Sequence, residues 1–181
     1  FELAIRADPK FVTAHLNRAE LLVEDLSEFE QAVALCDELL AGRTELPRLD
    51  RASEGEVYYL KAKAVFYLDG LEGALFLVRR ALKTTGDVGI YRSFEGQLLF
   101  ELGRFEEARR FLEAAAAMDP EAGHAVYHLA LVLERLHAEE EASEAFVRAN
   151  ALDPDRYLLP VAVDEKFFRQ AAAEAFENLP R

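Results

Sequence analysis

Apolar side chains recur three and four positions apart along most of the chain, as in the run Leu129, Val132, Leu133 and Leu136. That spacing places them on one face of an α-helix, where they can pack against a second helix. The pattern predicts four pairs of helices, at residues 11–26 and 28–41, 53–68 and 71–84, 88–102 and 105–118, and 122–136 and 139–152. Residues 1–7 have the pattern of a second helix without its first, so we expect the sequence to be a piece of a longer array.

Three short runs close the alanine-rich stretches: Ala7-Asp8-Pro9, Met118-Asp119-Pro120 and Leu152-Asp153-Pro154. The last two prolines are 34 residues apart, and alanine recurs five and twelve positions before each of them. Small side chains there allow two helices to approach closely, and proline prevents the second helix from continuing. Aspartate suits the turn and can cap the helix that follows. The chain is therefore predicted to consist of repeats of this length.

The same frame extends upstream without its proline. The turn segments 26–32 and 68–74 align with segments 102–108 and 136–142, and Gly86 stands where a proline would be. These spacings resemble those of the tetratricopeptide repeat over residues 1–156. The resemblance implies an all-α fold, a right-handed superhelical solenoid of antiparallel helix pairs with a C-terminal capping helix. It divides the chain into a truncated repeat at 1–9, repeats at 10–44, 55–88, 89–122 and 123–156, a longer inter-repeat loop at 45–54 and a capping segment at 157–181.

The longer loop is the irregular part of this array. Closing a slightly longer surface loop costs little free energy, so a tolerated insertion is expected. The alternative is a loop that contacts a partner, with Arg43, Arg48 and Arg51 as local basic features on an acidic protein.

A concave wall is the expected binding surface. In a stack of helix pairs the first helix of each pair lines this wall, and tetratricopeptide-repeat proteins usually bind their ligands along it. Transferred along the repeat frame, the resemblance implies a partner-binding groove made of Asn17, Tyr59, Lys63, Phe66, Tyr67, Gln97, Phe100, His124, Tyr127, Leu131 and Arg135.

Aromatic side chains in that set favour binding, because they offer a large contact area with few rotamers to fix. We expect an extended or helical peptide to be held there, with Lys63 and Arg135 facing its acidic groups. Tyr59, Phe66, Phe100 and Tyr127 are the expected anchors. The alternative is that several of these aromatic rings pack against neighbouring helices or the C-terminal tail.

Charge and composition limit the classes of molecule that the protein is expected to bind. The 34 acidic and 21 basic side chains give a net charge of −13, which argues against binding a nucleic-acid backbone. No apolar stretch approaches the roughly 20 residues that span a bilayer, so no membrane insertion is expected. The single cysteine, Cys36, lies on an apolar helical face and is expected to be buried. We expect a protein or peptide partner and a cytoplasmic location.

The sequence does not indicate catalytic chemistry. His124 and His128 are four positions apart and could chelate a metal from one helix face, but no third ligand lies near them in sequence. No phosphate-binding glycine loop and no nucleophile–base set can be argued from spacing. Only Asn17 and Lys63 match the clamp with which some tetratricopeptide domains hold a chaperone's terminal carboxylate. The sequence therefore predicts no enzyme activity, no cofactor and no metal.

The C-terminal segment supports two further hypotheses. Asp164 is a suitable helix start, and apolar residues follow it at helical spacing, which predicts a helix that caps the last repeat. Residues 160–180 also resemble the opening segment of the minimal zincin metallopeptidases, which implies a recruiting arm of a longer hydrolase. The other hypothesis is an oligomerisation or spacer module that self-associates through the ends at 1–7 or 164–179. A protein-interaction scaffold or adaptor is the preferred interpretation.

Overall fold

Nine helices and no strand occur in the part of the chain that the computed structural model describes, which is residues 1–42, 46–160 and 169. The predicted limits of the paired helices differ from the observed ones by at most two residues. The all-α prediction is confirmed, whereas the predicted capping helix lies outside the described residues. The helices are α1 Glu2–Ala7, α2 Val12–Glu24, α3 Phe29–Leu40, α4 Arg51–Tyr67, α5 Leu71–Thr85, α6 Gly89–Glu101, α7 Phe105–Met118, α8 Gly123–Arg135 and α9 Glu139–Leu152.

The helices stack in chain order. Each packs against the next, and the tightest partners are α4 with α5, α6 with α7 and α8 with α9. The first helices also touch one another, α2 with α4 and α6 with α8. Tyr59 of α4 also stacks on Tyr91 of α6, so the first helices α2, α4, α6 and α8 lie along one wall of the stack, and each is paired with the second helix that follows it, α3, α5, α7 or α9.

The turn inside each pair reverses the chain through one residue in the left-handed conformation. Backbone N–H groups of Gly70, Arg104 and Ala138 then donate to carbonyls five residues back, which closes α4, α6 and α8 in the same way. Glycine adopts the left-handed conformation without steric cost, and the other residue types do not. The four residues are Ser27, Asp69, Gly103 and His137, with φ of 53°, 60°, 73° and 59°.

The junctions between pairs follow the Asp-Pro runs. Asp8, Asp119 and Asp153 are extended, as the residue before proline must be. Their carboxylates accept hydrogen bonds from backbone N–H groups two or three residues ahead; the Glu121 N–H, for example, donates to Asp119 Oδ1 at 3.0 Å. The expectation that aspartate caps the next helix is wrong, because α2 and α8 begin without any side-chain cap. The carboxylate is used by the turn itself.

Small and apolar side chains fill the seam between the two walls. The alanines at the predicted close approaches, Ala108, Ala115, Ala142 and Ala149, are at most 4% exposed. Cys36 is buried as predicted, and burial raises the pKa of its thiol to about 12, so the thiolate is not available near neutral pH. In the longer loop Pro47 is fully buried and Leu49 packs on the core beside it, while residues 43–45 lie outside the described residues.

Gly96 marks the closest approach of α6 to α7. A Cβ at this position would lie 2.5 Å from Cγ of Leu112, which is fully buried and cannot move aside. We expect Gly96→Ala to lower the free energy of unfolding by about 1 kcal/mol, since overpacking outweighs the gain in helix propensity. Chemical denaturation of the variant measures this.

Gly89, at the start of the same helix, supplies the matched control. A Cβ there would meet only Met118 Cβ at 3.7 Å, an ordinary contact. Gly89→Ala is expected to be neutral or slightly stabilising. Equal effects of the two substitutions would contradict the close approach at Gly96.

Candidate functional site

A cavity of about 410 Å³ opens on the wall of first helices, between α4, α6 and the start of α8. Side chains from all four of the predicted repeats converge on it. Six of the residues predicted for the groove line it: Tyr59, Lys63, Phe66, Tyr67, Gln97 and His124. The cavity thus brings together residues up to 132 positions apart in sequence (24 to 156).

Aromatic rings form one side of the cavity and also join α4 to α6. Tyr59 stacks on Tyr91 with ring centroids 4.7 Å apart, and meets Phe94 edge-on at 5.7 Å. Phe66 meets the same Phe94 ring edge-on at 5.8 Å. Tyr59 is therefore part of the packing between two repeats as well as a lining residue, and burial raises the pKa of its phenol.

Two lining side chains are more accessible than Tyr59. Tyr67 is 50% exposed and stacks on Phe29 at 4.6 Å, while Ile90 is 60% exposed. Apolar surface left open beside polar groups is typical of a surface that binds another molecule.

Lys63 crosses from α4 towards the end of α2. Its ammonium forms an ion pair with Glu24 and lies 5.7 Å from the centroid of the Tyr59 ring. The cation is held between a carboxylate and an aromatic face, which is a favourable position for a positive charge. Lys63 therefore has a partner within the chain, and the expectation that it faces acidic groups of a ligand stays a prediction.

His124 lines the cavity on the α8 side, and His128 lies one turn further along the same helix. Ser93 Oγ and His124 Nδ1 are hydrogen-bonded at 2.9 Å, and His128 Nδ1 donates to the His124 carbonyl at 3.0 Å. The two rings lie 4.2 Å apart. Burial, followed by the neighbouring His128 and the cations of Arg156 and Lys63, lowers the pKa of His124 to about 3.

Both histidines are neutral near pH 7, because burial lowers the pKa of His128 as well. Neutral imidazole is the form that binds metals, but a site needs further ligands. Within residues 1–42 and 46–160, no group of three or more histidine, cysteine or acidic side chains is placed to hold a metal ion.

Five predicted residues do not line this cavity. Asn17 lines a neighbouring one of about 270 Å³ along α2. The Phe100 ring lies 5.7 Å from the ring of Phe105 in the adjacent second helix, so it packs within the chain.

Tyr127 also packs within the chain, with its ring 5.8 Å from that of Phe146 and 5.3 Å from that of Tyr157. The alternative of internal packing therefore describes this ring. Leu131 and Arg135 also lie outside the cavity, and a role of these five residues in binding stays a prediction.

Several residues that line the cavity were not predicted from the sequence. Glu24 and Ile90 lie at the end and start of first helices, where the repeat frame could have indicated them. Arg156 is the final residue of the predicted repeat 123–156, beyond the end of α9, and no periodic signal marks it. It reaches the cavity because the chain turns after Asp153, where Tyr157 is buried against α8 and its carbonyl accepts the Asn150 side chain at 2.9 Å.

Two other expectations concern features outside this cavity. No helix among the described residues is long and apolar enough to cross a membrane. The proposed zincin-like segment, residues 160–180, lies outside the described residues apart from Pro160 and Arg169, and none of the comparisons supports that resemblance.

Comparisons with known proteins, by sequence and by structure, agree on the fold. Residues 99–159 match the family model described as Tetratricopeptide repeat. No curated protein sequence matches the chain at a significant level. Among solved structures, YrrB, described as a TPR protein with an unusual peptide-binding site, is 22% identical with a TM-score of 0.65, over 86% of this chain and 76% of that one.

Two more solved structures are similar. MamA is 20% identical with a TM-score of 0.66, over 86% of this chain and 85% of that one. The OM64 TPR domain of Arabidopsis is 20% identical with a TM-score of 0.57, over 72% of this chain and all of that one. Residues 99–159 therefore match the tetratricopeptide repeat by sequence, and the chain shares the helical-repeat fold of YrrB and of the OM64 TPR domain.

Proposed function

We propose that the protein is an interaction scaffold or adaptor, which binds a peptide or a segment of a partner protein along its wall of first helices. The single observation that supports this most strongly is the aromatic cavity between α4, α6 and α8, on which six residues of the predicted groove converge. Burial of its half-exposed rings and aliphatic groups against a ligand would favour binding. Its amide and hydroxyl groups can orient the ligand through hydrogen bonds.

An elongated ligand suits this surface better than a compact one. The larger cavity and the smaller one along α2 share Glu24, so together they form a trough that crosses the first helices α2, α4 and α6 and reaches the start of α8. A peptide in extended conformation advances about 3.3 Å per residue and can follow such a trough with alternate side chains. YrrB, whose fold is similar, is described as having a peptide-binding site, which supports the same proposal.

Photocrosslinking from a single position tests the location of the partner. We expect p-benzoylphenylalanine in place of Ile90 to form adducts with the bound partner, because this side chain is 60% exposed and lines the cavity. The adducts are read by mass spectrometry after irradiation of lysate that contains the protein.

Phe76 gives the matched control for this experiment. It is 63% exposed on the second helix α5 and does not line the trough. The same crosslinker at Phe76 should give few adducts. If both positions crosslink the same protein in similar yield, the partner does not bind preferentially on the wall of first helices, and the proposal fails.

Two earlier expectations stay predictions beside this proposal. Self-association through the ends of the array predicts a mass above that of one chain in light scattering, which a groove-binding monomer would not show. A cytoplasmic location is the other, and localisation of the tagged protein would measure it.

A further inference from the structure

We infer that the partner segment bound by the trough is basic, and that it presents a lysine or arginine side chain to the carboxylates along α2 and α4. This inference rests on the proposed function, since it names the chemistry of the ligand for the same surface. Two observations support the inference: the charges that line the α2 half of the trough, and the position of Lys63 within the trough.

Carboxylates dominate the α2 half of the trough. Glu20, Glu24 and Asp25 line the cavity there, and Glu56 lies seven residues before Lys63 on the same face of α4. Within the described ranges only Glu24 of these four forms a salt bridge, with Lys63. Three negative charges therefore remain without an ion-pair partner among the described residues.

Glu56 and Glu20 repel one another across the gap between α2 and α4. Burial and then the charge of Glu20 raise the pKa of the Glu56 carboxyl, although its side chain stays accessible. A cation placed between the two carboxylates would remove this repulsion, which the chain itself leaves unrelieved. The α2 half is therefore electrostatically suited to a basic side chain.

Lys63 shows that this surface accommodates a cation. Its ammonium occupies a position between the Glu24 carboxylate and the face of Tyr59. Glu20 lies one turn before Glu24 on the same face of α2, so a ligand cation can approach its carboxylate from the same side of the helix. Cations bind favourably between carboxylates and aromatic faces.

The cations of the trough do not offset this preference. Lys63 is paired with Glu24, and Arg156 lies at the opposite, α8 end of the cavity, where Asp119 also lines it. The net charge of −13 acts in the same direction, because it steers positively charged segments towards the protein and repels negatively charged ones.

Three pools of fluorescent peptides, each about 12 residues long and so able to span the trough, test the inference. All pools contain the same degenerate aliphatic and aromatic positions, and the remaining positions are lysine and arginine, glutamate, or glutamine. Binding to the 181-residue chain is measured by fluorescence anisotropy at low and at physiological salt. We expect the basic pool to bind at least about tenfold more tightly than the other two, with an advantage that shrinks as salt rises.

A double variant tests which carboxylates attract the basic peptides. Glu20→Gln/Glu56→Gln should weaken binding of the basic pool about threefold to tenfold and leave the glutamine pool unchanged. The control is Glu38→Gln/Glu144→Gln, which removes two exposed carboxylates from the second helices α3 and α9 and makes the same change in net charge. This control should change binding of the basic pool less than twofold, by about the loss of general steering alone.

The outcomes separate the inference from the proposed function. If the glutamate or glutamine pool binds best, and Ile90→Ala weakens that binding, the trough is a binding site but its ligand is not basic. Equal losses from the two glutamine double variants would mean that overall charge, not the trough, attracts the basic pool. If no pool binds and the crosslinking result at Ile90 is also negative, the proposed function itself is overturned.

Discussion

Acidification from pH 7 to pH 5 is expected to lower the free energy of unfolding by about 2 kcal/mol through His124 alone. In the folded chain the pKa of this histidine is about 3, chiefly because the ring is buried. In the unfolded chain its pKa returns to the ordinary histidine value of 6.5. Chemical denaturation at a series of pH values between 7 and 5 measures the effect.

The sign of the change follows from proton binding. Between the folded pKa of about 3 and the unfolded value of 6.5, the unfolded chain binds more protons at His124 than the folded chain does. The stabilisation that neutral His124 contributes is therefore fully present above pH 6.5. It falls by about 1.4 kcal/mol per pH unit as the pH drops towards 3. His128 acts in the same direction, since its pKa is lowered by burial too.

Replacement of His124 isolates its contribution. His124→Gln keeps a polar group opposite Ser93 Oγ and should flatten the stability profile between pH 7 and pH 5 by about 2 kcal/mol. His137→Gln, at the exposed turn after α8, serves as the control and should leave the profile unchanged. A wild-type profile that is flat over this window would contradict the burial of a neutral His124 in the native state.

Loss of Arg79 is expected to destabilise the protein by about 2 kcal/mol. Glu95 of α6 is only 2% exposed, and its carboxylate accepts the Arg79 Nε hydrogen bond at 2.7 Å across the junction of two repeats. Arg79→Ala leaves that buried carboxylate without its closest cation. The cost is below that of a fully buried pair, because the Arg79 side chain is 44% exposed. Urea denaturation gives the change directly.

A double-mutant cycle shows whether the unpaired carboxylate is the cause. Adding Glu95→Leu to Arg79→Ala should recover part of the loss, because an apolar side chain carries no desolvation penalty at this position. Arg80→Ala, the adjacent control, removes an exposed arginine that contacts Tyr58 and should cost less than about 0.5 kcal/mol. Additive effects of Arg79→Ala and Glu95→Leu would disprove the coupling.

Six of the eleven residues predicted for the groove line one cavity. The other five show which features of the surface the repeat frame does not determine. Tyr59, Lys63, Gln97 and His124 share a cavity because the frame fixes which face of each first helix lines the wall. Tyr127 belongs to the same frame, yet its ring is directed into the contacts with Phe146 and Tyr157. A side-chain direction of this kind depends on what else fills the neighbouring space, which periodicity does not specify.

The sequence alone determined the helices, their limits and the turns, because each depends on a few consecutive residues: apolar spacing, proline, and a turn residue that tolerates positive φ. Only the tertiary structure decided the chemistry of the trough. Lys63 is paired with Glu24, 39 positions away, and Ser93 is bonded to His124, 31 positions away. Such contacts follow from how successive helix pairs stack, and stacking is a property of the whole array rather than of any local segment.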